Sequence, residues 1–345
     1  MAIRKTGKIL YGIFLFLLTA VFITSAVAFS SVQAEGAAKD FSYRSYGLRY
    51  DKVSFKNRPV NSEIAAGNDS TAKVLHFLDI INYNLITADY LAAISVGGGT
   101  ASSDLLNIKG GLKYGHVYVR DRGRFYLQSV AKVTEATSSL NINLLSLTQN
   151  LLNSAERKYS PDGKIFYLER VKGGHSNAKL LSSYPYGWAD FRKGEHKVLN
   201  LAEYKAEEFI YRDYRELNNF VLTPDTIRRD SIRISYKDGL YTFTFRVNLE
   251  DGVSRDKATK YARAHLREVS KSEDLEYILY KVTIEMWDNG MIRKYTKEES
   301  WKASLKLPLG IRPSGCSYSL TSVYYSWNPA DCTFKTNNSD ISWAK

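Results

Sequence analysis

The stretch 275–305 has the most regular alternation of apolar and polar positions in the chain. Its apolar members stand at every second position, and they are Ile278, Tyr280, Val282, Ile284 and Met286. A period of two is typical of a β-strand with one buried face. Asp288-Asn289-Gly290 follows, with residues that tolerate the positive φ of a tight turn. The pattern predicts an antiparallel hairpin whose even-numbered face packs inward, so we expect Ile278→Asp to unfold the protein.

A helical pattern precedes it, from a capping Asp69-Ser70 to about Val96. Its apolar positions cover most of the circumference, and they are Val74, Leu75, Phe77, Leu78, Ile80, Ile81, Leu85, Ile86, Leu91 and Ile94. A helix of this kind is buried on more than one side. No phosphate-loop motif surrounds Gly97-Gly98-Gly99, so we interpret the triplet as the end of the helix.

Shorter patterns fill in the rest of the chain. Strands are predicted at 112–119, 124–134, 164–171, 231–236, 240–249 and 318–327, and helices at 138–157, 200–220 and 255–270, the last capped by Ser254. Together these elements predict an α+β fold, in which a curved antiparallel sheet of meander hairpins packs on the long apolar helix. Two or three further helices complete it.

The N-terminus has the pattern of an export signal. Arg4, Lys5 and Lys8 precede an apolar run from Ile9 to about Val27, and small residues then predict cleavage after Ala34. The run is also long enough to remain as a membrane anchor. We expect residues 1–34 to be this segment, 35–68 a linker, 69–335 a single α+β domain and 336–345 a tail, all outside the cytoplasm beyond residue 34.

The chain is basic, with a formal net charge of +12, and it stays basic without the export signal. Such a charge favours anionic wall polymers or a membrane surface as partners, and equally it can serve solubility alone. The basic residues form no dense run, so no nucleic-acid partner is predicted. One helix face carries a candidate basic surface of Lys257, Lys260, Arg263, Arg267 and Lys271.

Cys316 and Cys332 are the two cysteines of the chain. In an oxidising compartment such a pair favours a disulfide, with two free thiols as the alternative. A metal site is not expected, because no His stands near either residue. The five histidines make no metal-ligand spacing, and the chain has no GxSxG motif and no cofactor motif. We therefore predict neither a cofactor nor an enzyme.

Several segments carry a resemblance to known proteins. They are KVLHFLDIINYNLITADYL, LYTFTFRVNL, KATKYARAHLREV and LEYILYKVTIEMWDNGMIRKYTKEESW. The last three are similar to the C-terminal half of uncharacterised exported proteins of Gram-positive bacteria. The order of elements also resembles the LolA/LppX lipoprotein carriers. That resemblance implies a sheet that shelters a lipid or acyl chain, with no catalytic residues. The chain departs from the carriers in its long 172–230 segment and its positive charge.

The first functional hypothesis is a non-enzymatic binder of a lipid or other apolar ligand. Its candidate ligand-binding residues are Leu75, Leu78, Ile81, Leu85, Tyr241, Phe243, Phe245, Ile278, Tyr280, Val282 and Ile284. The same residues could instead form an ordinary core. The alternatives are an envelope module that binds anionic polymer or a partner protein through basic, Tyr-rich surfaces, and an NTF2-like or cystatin-like module.

Overall fold

The computed structural model describes residues 52–53, 58–139, 144–173, 194–199, 220–264, 274–304 and 313–332. These residues build one antiparallel sheet of eleven strands. The strands are β1 (Tyr90–Ser103), β2 (Ile108–Asp121), β3 (Arg124–Thr137), β4 (Ser154–Ser160), β5 (Phe166–Lys172), β6 (Glu195–Leu199), β7 (Ile227–Lys237), β8 (Leu240–Val247), β9 (Asp274–Trp287), β10 (Ile292–Ser304) and β11 (Ser314–Ser326). The α-helices are α1 (Ser62–Ala66), α2 (Ser70–Thr87), α3 (Leu144–Leu152) and α4 (Gly252–Ala258), and Leu105–Asn107 and Pro329–Asp331 form 3-10 turns.

The strand order is β6-β5-β4-β3-β2-β1-β11-β10-β9-β8-β7. Two meanders, β1 to β6 and β7 to β11, therefore meet where β1 pairs with β11. That pairing runs from Ala92 opposite Ser326 to Ser103 opposite Gly315. The centre of the sheet thus joins the first and the last strand of the described chain, and β6 and β7 lie at its two edges.

Helix α2 packs against one face of this sheet, called here the inner face. As predicted, the Asp69 carboxylate caps the helix, since its Oδ1 accepts from Thr71 N at 2.9 Å and Ala72 N at 3.1 Å. The Phe77 ring lies 5.3 Å from that of Phe243 on β8. Burial of these apolar side chains is the main force that holds α2 on the sheet.

The predicted turns of two hairpins are confirmed. Gly290 N donates to Trp287 O at 2.8 Å, and Trp287 N donates to Met291 O at the same distance. Gly290 has φ +84°, while Asp238 and Gly239 between β7 and β8 have φ +51° and +79°. Residues that tolerate positive φ are thus found where the hairpin geometry requires them.

The predicted α+β fold class was wrong, because strands dominate and the helices are short. Helix α2 ends at Thr87, and residues 90–96 of the predicted helix belong to β1. Strand β1 pairs with β2 along one side and with β11 along the other. These pairings satisfy its backbone groups through distant parts of the chain, which outweighs the helical periodicity of the local sequence.

The interpretation of Gly97-Gly98-Gly99 as a helix end was also wrong, because all three glycines lie inside β1. A Cβ on Gly97 would come within 2.4 Å of the Tyr114 ring on β2. Glycine is therefore required here so that the aromatic ring can lie across the strand.

Two predicted helices differ from the structure at their ends. The helix predicted at 138–157 is α3 followed by β4, so its last residues are extended. Ser254 was predicted as the N-cap of the last of these helices. The cap of α4 is instead Asp251, whose Oδ2 accepts from Ser254 N at 2.8 Å. Residues 200–219 of the helix predicted at 200–220 lie outside the described residues, as do residues 265–270, the end of the helix predicted at 255–270.

The alternation of β9 is confirmed from Tyr280 to Met286 and is wrong at Ile278. Leu279 pairs with Ser300 and Tyr277 pairs with Trp301, so Ile278 is an extra residue without a partner on β10. This β-bulge shifts the inward phase by one residue. Tyr277 is buried, whereas Ile278 is 54% exposed.

Candidate functional site

Apolar clusters lie at the two ends of the inner face. The larger one joins α2 to β7–β11 and to the adjoining ends of β1–β3, where Tyr118 and Leu127 belong to it. The smaller one joins Leu144 of α3 to Leu112 and Val133. The inner face between them is polar.

This polar band follows from the strand register, because directly opposed residues of antiparallel strands share a face. One row crosses the sheet through Ser95, His116, Ser129, Glu156 and Arg170. Further rows contribute Tyr114, Thr321 and Lys297, and Ser319 with Glu299. The band therefore crosses the centre of the sheet, where β1 meets β11.

The members of the band near β11 are buried and paired. Lys297 Nζ lies 3.5 Å from Glu299 Oε1, and the two side chains are only 2% and 5% exposed. Ser319 Oγ donates to the same carboxylate oxygen at 3.2 Å. The hydroxyl oxygens of Tyr114 and Thr321 are 2.5 Å apart. Buried charges are tolerated when they are paired and hydrogen-bonded in this way.

The β2–β5 part of the band contains a histidine, a serine and a glutamate. His116 Nδ1 and Ser129 Oγ are 2.9 Å apart. Glu156 receives Lys158 Nζ at 2.6 Å and Arg170 Nε at 2.7 Å. A hydrolytic triad requires the imidazole to stand between hydroxyl and carboxylate. Here Lys158 and Arg170 bind the two oxygens of Glu156. The carboxylate is therefore part of an ion-pair network and does not orient His116 as a catalytic base.

The electrostatics of Glu156 agree with this assignment. Burial by itself raises the pKa of the carboxyl, and the Lys158 ammonium and the Arg170 guanidinium outweigh it. The resulting pKa lies below the ordinary value of 4.5. Glu156 is thus held ionised by its two neighbours.

Trp301 and Ser317 form the most unusual pair on the inner face. They are direct cross-strand neighbours on β10 and β11. Both are buried, at 5% and 3% exposure, and among the described residues neither Trp301 Nε1 nor Ser317 Oγ has a hydrogen-bond partner. A buried donor without an acceptor costs about 1–3 kcal/mol. Nothing along the chain singles out this pair, because it depends on the register between β10 and β11.

The predicted ligand-binding residues come together, but as a packed cluster. Eight of them are buried in the larger apolar cluster, namely Leu78, Ile81, Leu85, Phe243, Phe245, Tyr280, Val282 and Ile284. Leu75 and Tyr241 are partly buried against it, and Ile278 is exposed on its bulge. Ten of the eleven candidates thus belong to the larger apolar cluster or pack against it, and Trp301 is a member of the same cluster.

Three residues of the predicted basic surface are described. Lys257 Nζ lies 3.1 Å from Asp225 Oδ2, and Arg263 is paired with Asp256. Lys260 Nζ stands 5.6 Å from the centre of the Tyr261 ring. Much of this charge is neutralised locally, which weakens the case for a polyanion surface. Arg267 and Lys271 lie outside the described residues.

The predicted disulfide is not formed. Cys316 is an exposed free thiol and Cys332 a buried one. Cys316 Sγ lies 3.1 Å from Ser102 Oγ, whereas Cys332 Sγ donates to Asn328 O at 3.3 Å. Burial raises the pKa of the Cys332 thiol to about 12, and the adjacent Asp331 adds to the effect. Each sulfur therefore has its own local partner.

A cleft of about 400 Å³ lies where α4 meets the start of β9 and the end of β10. We call it the corner cleft. Its lining residues are Arg255, Asp256, Arg263, Asp274, Leu275, Glu276, Tyr277, Lys302, Ala303, Ser304 and Ser314. Tyr277 is also the cross-strand partner of Trp301. Six of its eleven lining residues are charged, whereas the sequence led us to expect a pocket lined by apolar side chains.

Within the described ranges, no cluster of three His, Cys, Asp or Glu side chains is arranged to hold a metal ion. None of the helices in these ranges combines the length and the hydropathy needed to cross a bilayer.

Comparisons with known proteins yield only distant similarities. No protein-family model matches the chain, and no curated protein matches its sequence. Among solved structures, a DUF1329 family protein from Desulfovibrio piger is a weak neighbour, with 8% identity, a TM-score of 0.19 and coverage of 75% of this chain and 92% of that one. The outer membrane protein OprG from Pseudomonas aeruginosa has 8% identity, a TM-score of 0.10 and coverage of 69% and 96%.

Proposed function

We propose that the protein is an exported, non-enzymatic component of the cell envelope that binds an amphiphilic molecule, such as a fatty acid or another lipid, on the inner face of its sheet. The observation that carries the proposal is the pair of donors at Trp301 and Ser317. Both are buried beside a large apolar cluster, and both lack an acceptor among the described residues.

An amphiphile would supply both an acceptor for the buried donors of Trp301 and Ser317 and apolar groups for the cluster beside them. Its carboxylate or ester oxygens would accept from Trp301 Nε1 and Ser317 Oγ, recovering about 1–3 kcal/mol for each donor. Its hydrocarbon part would pack against neighbours of Trp301 in the apolar cluster, such as Tyr277. A purely apolar ligand would leave both donors unpaired, so the proposal favours a ligand with a polar head.

Two further features support the non-enzymatic and exported character. The glutamates of the polar band are held by cations or a hydroxyl, as Glu156 is by Lys158 and Glu299 is by Lys297 and Ser319. Such groups stabilise a fold and are not poised for proton transfer. The pattern of residues 1–34 supports passage across a membrane.

The test is a binding titration of delipidated protein with a polarity-sensitive fatty-acid probe, together with mass spectrometry of lipids that co-purify. Trp301→Phe removes Nε1–H and keeps an aromatic ring, and Ser317→Ala removes the hydroxyl. Each should weaken binding by about tenfold. In the empty protein, Ser317→Ala should leave stability unchanged or slightly higher, whereas Trp301→Phe leaves a small cavity in the cluster and should lower it slightly. Trp287→Phe on β9 is the matched control and should bind normally.

The proposal fails if the delipidated protein shows no saturable binding and carries no lipid from its host. It also fails if Trp301→Phe and Trp287→Phe bind the probe equally well, because the buried donors would then play no part.

A further inference from the structure

We propose that the corner cleft is a second binding site, which takes the anionic group of a small molecule, either a phosphate ester or a carboxylate. Its volume of about 400 Å³ lies in the range of small-molecule sites. The inference does not rest on the proposed function, because the arginines that would bind the anion are different residues from Trp301 and Ser317; Tyr277 borders both places.

Two cations contact one carboxylate inside the cleft, and Arg263 acts on it from farther away. Glu276 Oε1 accepts from Arg255 Nη1 at 2.8 Å, and Glu276 Oε2 lies 2.8 Å from Lys302 Nζ. The hydrogen bond from Lys302 lowers the pKa of Glu276 most, and the charges of Lys302, Arg255 and Arg263 lower it further. A single carboxylate shared by two cations leaves positive charge at this point.

The lining as a whole is formally neutral, with three cations and three carboxylates, so the positive charge beside Glu276 is local. Asp256 pairs with Arg263 from the solvent side, where the Asp256 side chain is 63% exposed. Asp274 Oδ2 accepts from the Ser304 hydroxyl at 2.8 Å. Asp256 is thus largely in solvent, whereas Asp274 keeps its negative charge on the Ser304 side of the cleft.

Unused donors remain in the cleft. Arg263 Nε is buried without an acceptor among the described residues, and its guanidinium spends only one N–H on Asp256. Within the described part of the chain, Arg255 donates through Nη1 to Glu276 and has no other side-chain acceptor. Guanidinium groups bind phosphate and carboxylate through two parallel N–H groups, so an anion lying between Arg255 and Arg263 matches their chemistry.

The floor of the cleft suits a small organic anion better than a bare ion. Leu275 and Tyr277 are buried, and Ala303 lies beside them. These apolar surfaces would contact the carbon skeleton that carries the anionic group. A ligand with both parts would use the charged wall for orientation and the floor for burial.

The experiment follows binding to the full-length protein by thermal shift and by ³¹P line broadening, at constant ionic strength. The probes are inorganic phosphate, phosphoethanolamine and acetate, with sodium chloride as reference. We expect saturable stabilisation by phosphoethanolamine if the source is a phosphate ester, and by acetate if it is a carboxylate. Arg263→Gln and Arg255→Gln should each weaken binding about tenfold.

Two variants keep the test decisive. Lys257→Gln removes the same charge from the same helix, but its partner is Asp225, which does not line the cleft, so it should bind normally. Glu276→Gln frees Arg255 and Lys302 and should strengthen binding of the anion several-fold. The proposal is overturned if no probe saturates, if chloride gives the same shift, or if Lys257→Gln weakens binding as much as Arg263→Gln. It is equally overturned if Glu276→Gln leaves binding unchanged.

Discussion

Asn84 Nδ2 donates to Gly290 O at 3.0 Å and so ties helix α2 to the turn between β9 and β10. The same nitrogen donates to Arg58 O at 3.1 Å, and Asn84 Oδ1 accepts from Arg58 N at 2.8 Å. Asn84 is fully buried, and the position a Cβ would take on Gly290 lies 2.6 Å from its Nδ2. One amide therefore joins the helix, the hairpin turn and the segment before α1.

Substitution of Asn84 should be strongly destabilising. Asn84→Asp keeps an acceptor for Arg58 N but removes both donors, and it buries a charge. We expect it to lower the free energy of unfolding by at least about 2 kcal/mol, measured by urea denaturation. Ile86→Ala, on the exposed side of the same helix, should cost under about 1 kcal/mol. Equal losses in the two variants would show that Asn84 is not a specific link.

The β-bulge at Ile278 makes a prediction opposite to the one drawn from the alternation. Ile278 is 54% exposed, whereas Val282, four residues along the same strand, is 1% exposed. Ile278→Asp should therefore change the free energy of unfolding by less than about 1 kcal/mol. Val282→Asp should prevent folding, because it buries an unpaired carboxylate.

Circular dichroism and urea denaturation of the two purified variants are sufficient for this comparison. If Ile278→Asp unfolds the protein as completely as Val282→Asp, then β9 keeps its even-numbered phase throughout and the bulge is absent in solution.

The sequence predicted the parts of the fold that local chemistry determines. The cap at Asp69 and the positive φ at Gly290 each depend on a few neighbouring residues, and both predictions are confirmed. Strand β1 could not be predicted in this way, since its pairing with β11 joins residues more than 200 positions apart. Its apolar spacing fits a helix, and only the partner strands decide between the two.

The candidate site was predicted even less completely. Alternation gave the inward phase of Tyr280 and Val282, and hence the apolar part of the inner face. The polar band depends on the register of several neighbouring strands, which places Lys297 opposite Thr321, for example. The pair of Trp301 and Ser317 depends on the same register. A sequence read along the chain does not contain that information.

Glu156 predicts an acid-sensitive contribution to stability. Its pKa in the folded protein lies below 4.5, because Lys158 and Arg170 outweigh the effect of burial. A depressed folded-state pKa adds stability that is fully present above about pH 4.5 and is lost as the pH falls through the folded-state value. Glu156→Gln should therefore be less stable than the unmodified protein at pH 7, and the difference should shrink below pH 4.

Urea denaturation at pH 7 and at pH 3.5 measures this difference directly. Glu63→Gln, at an exposed residue of α1, serves as the control and should be close to neutral at both values. A Glu156→Gln deficit that stays constant with pH would mean that the lost contact is not ionic.

The two thiols should differ sharply in reactivity. Cys316 is exposed, whereas Cys332 is completely buried and has a pKa of about 12. Because the thiolate is the reactive form, a disulfide-exchange reagent at pH 8 should label one thiol per folded chain and two in denaturant. Cys316→Ser should abolish the labelling of the folded protein, and Cys332→Ser should leave it intact. A different result would establish the disulfide that this structure lacks. In that case neither cysteine of the denatured chain would be labelled before reduction, and both would be labelled after treatment with a reductant.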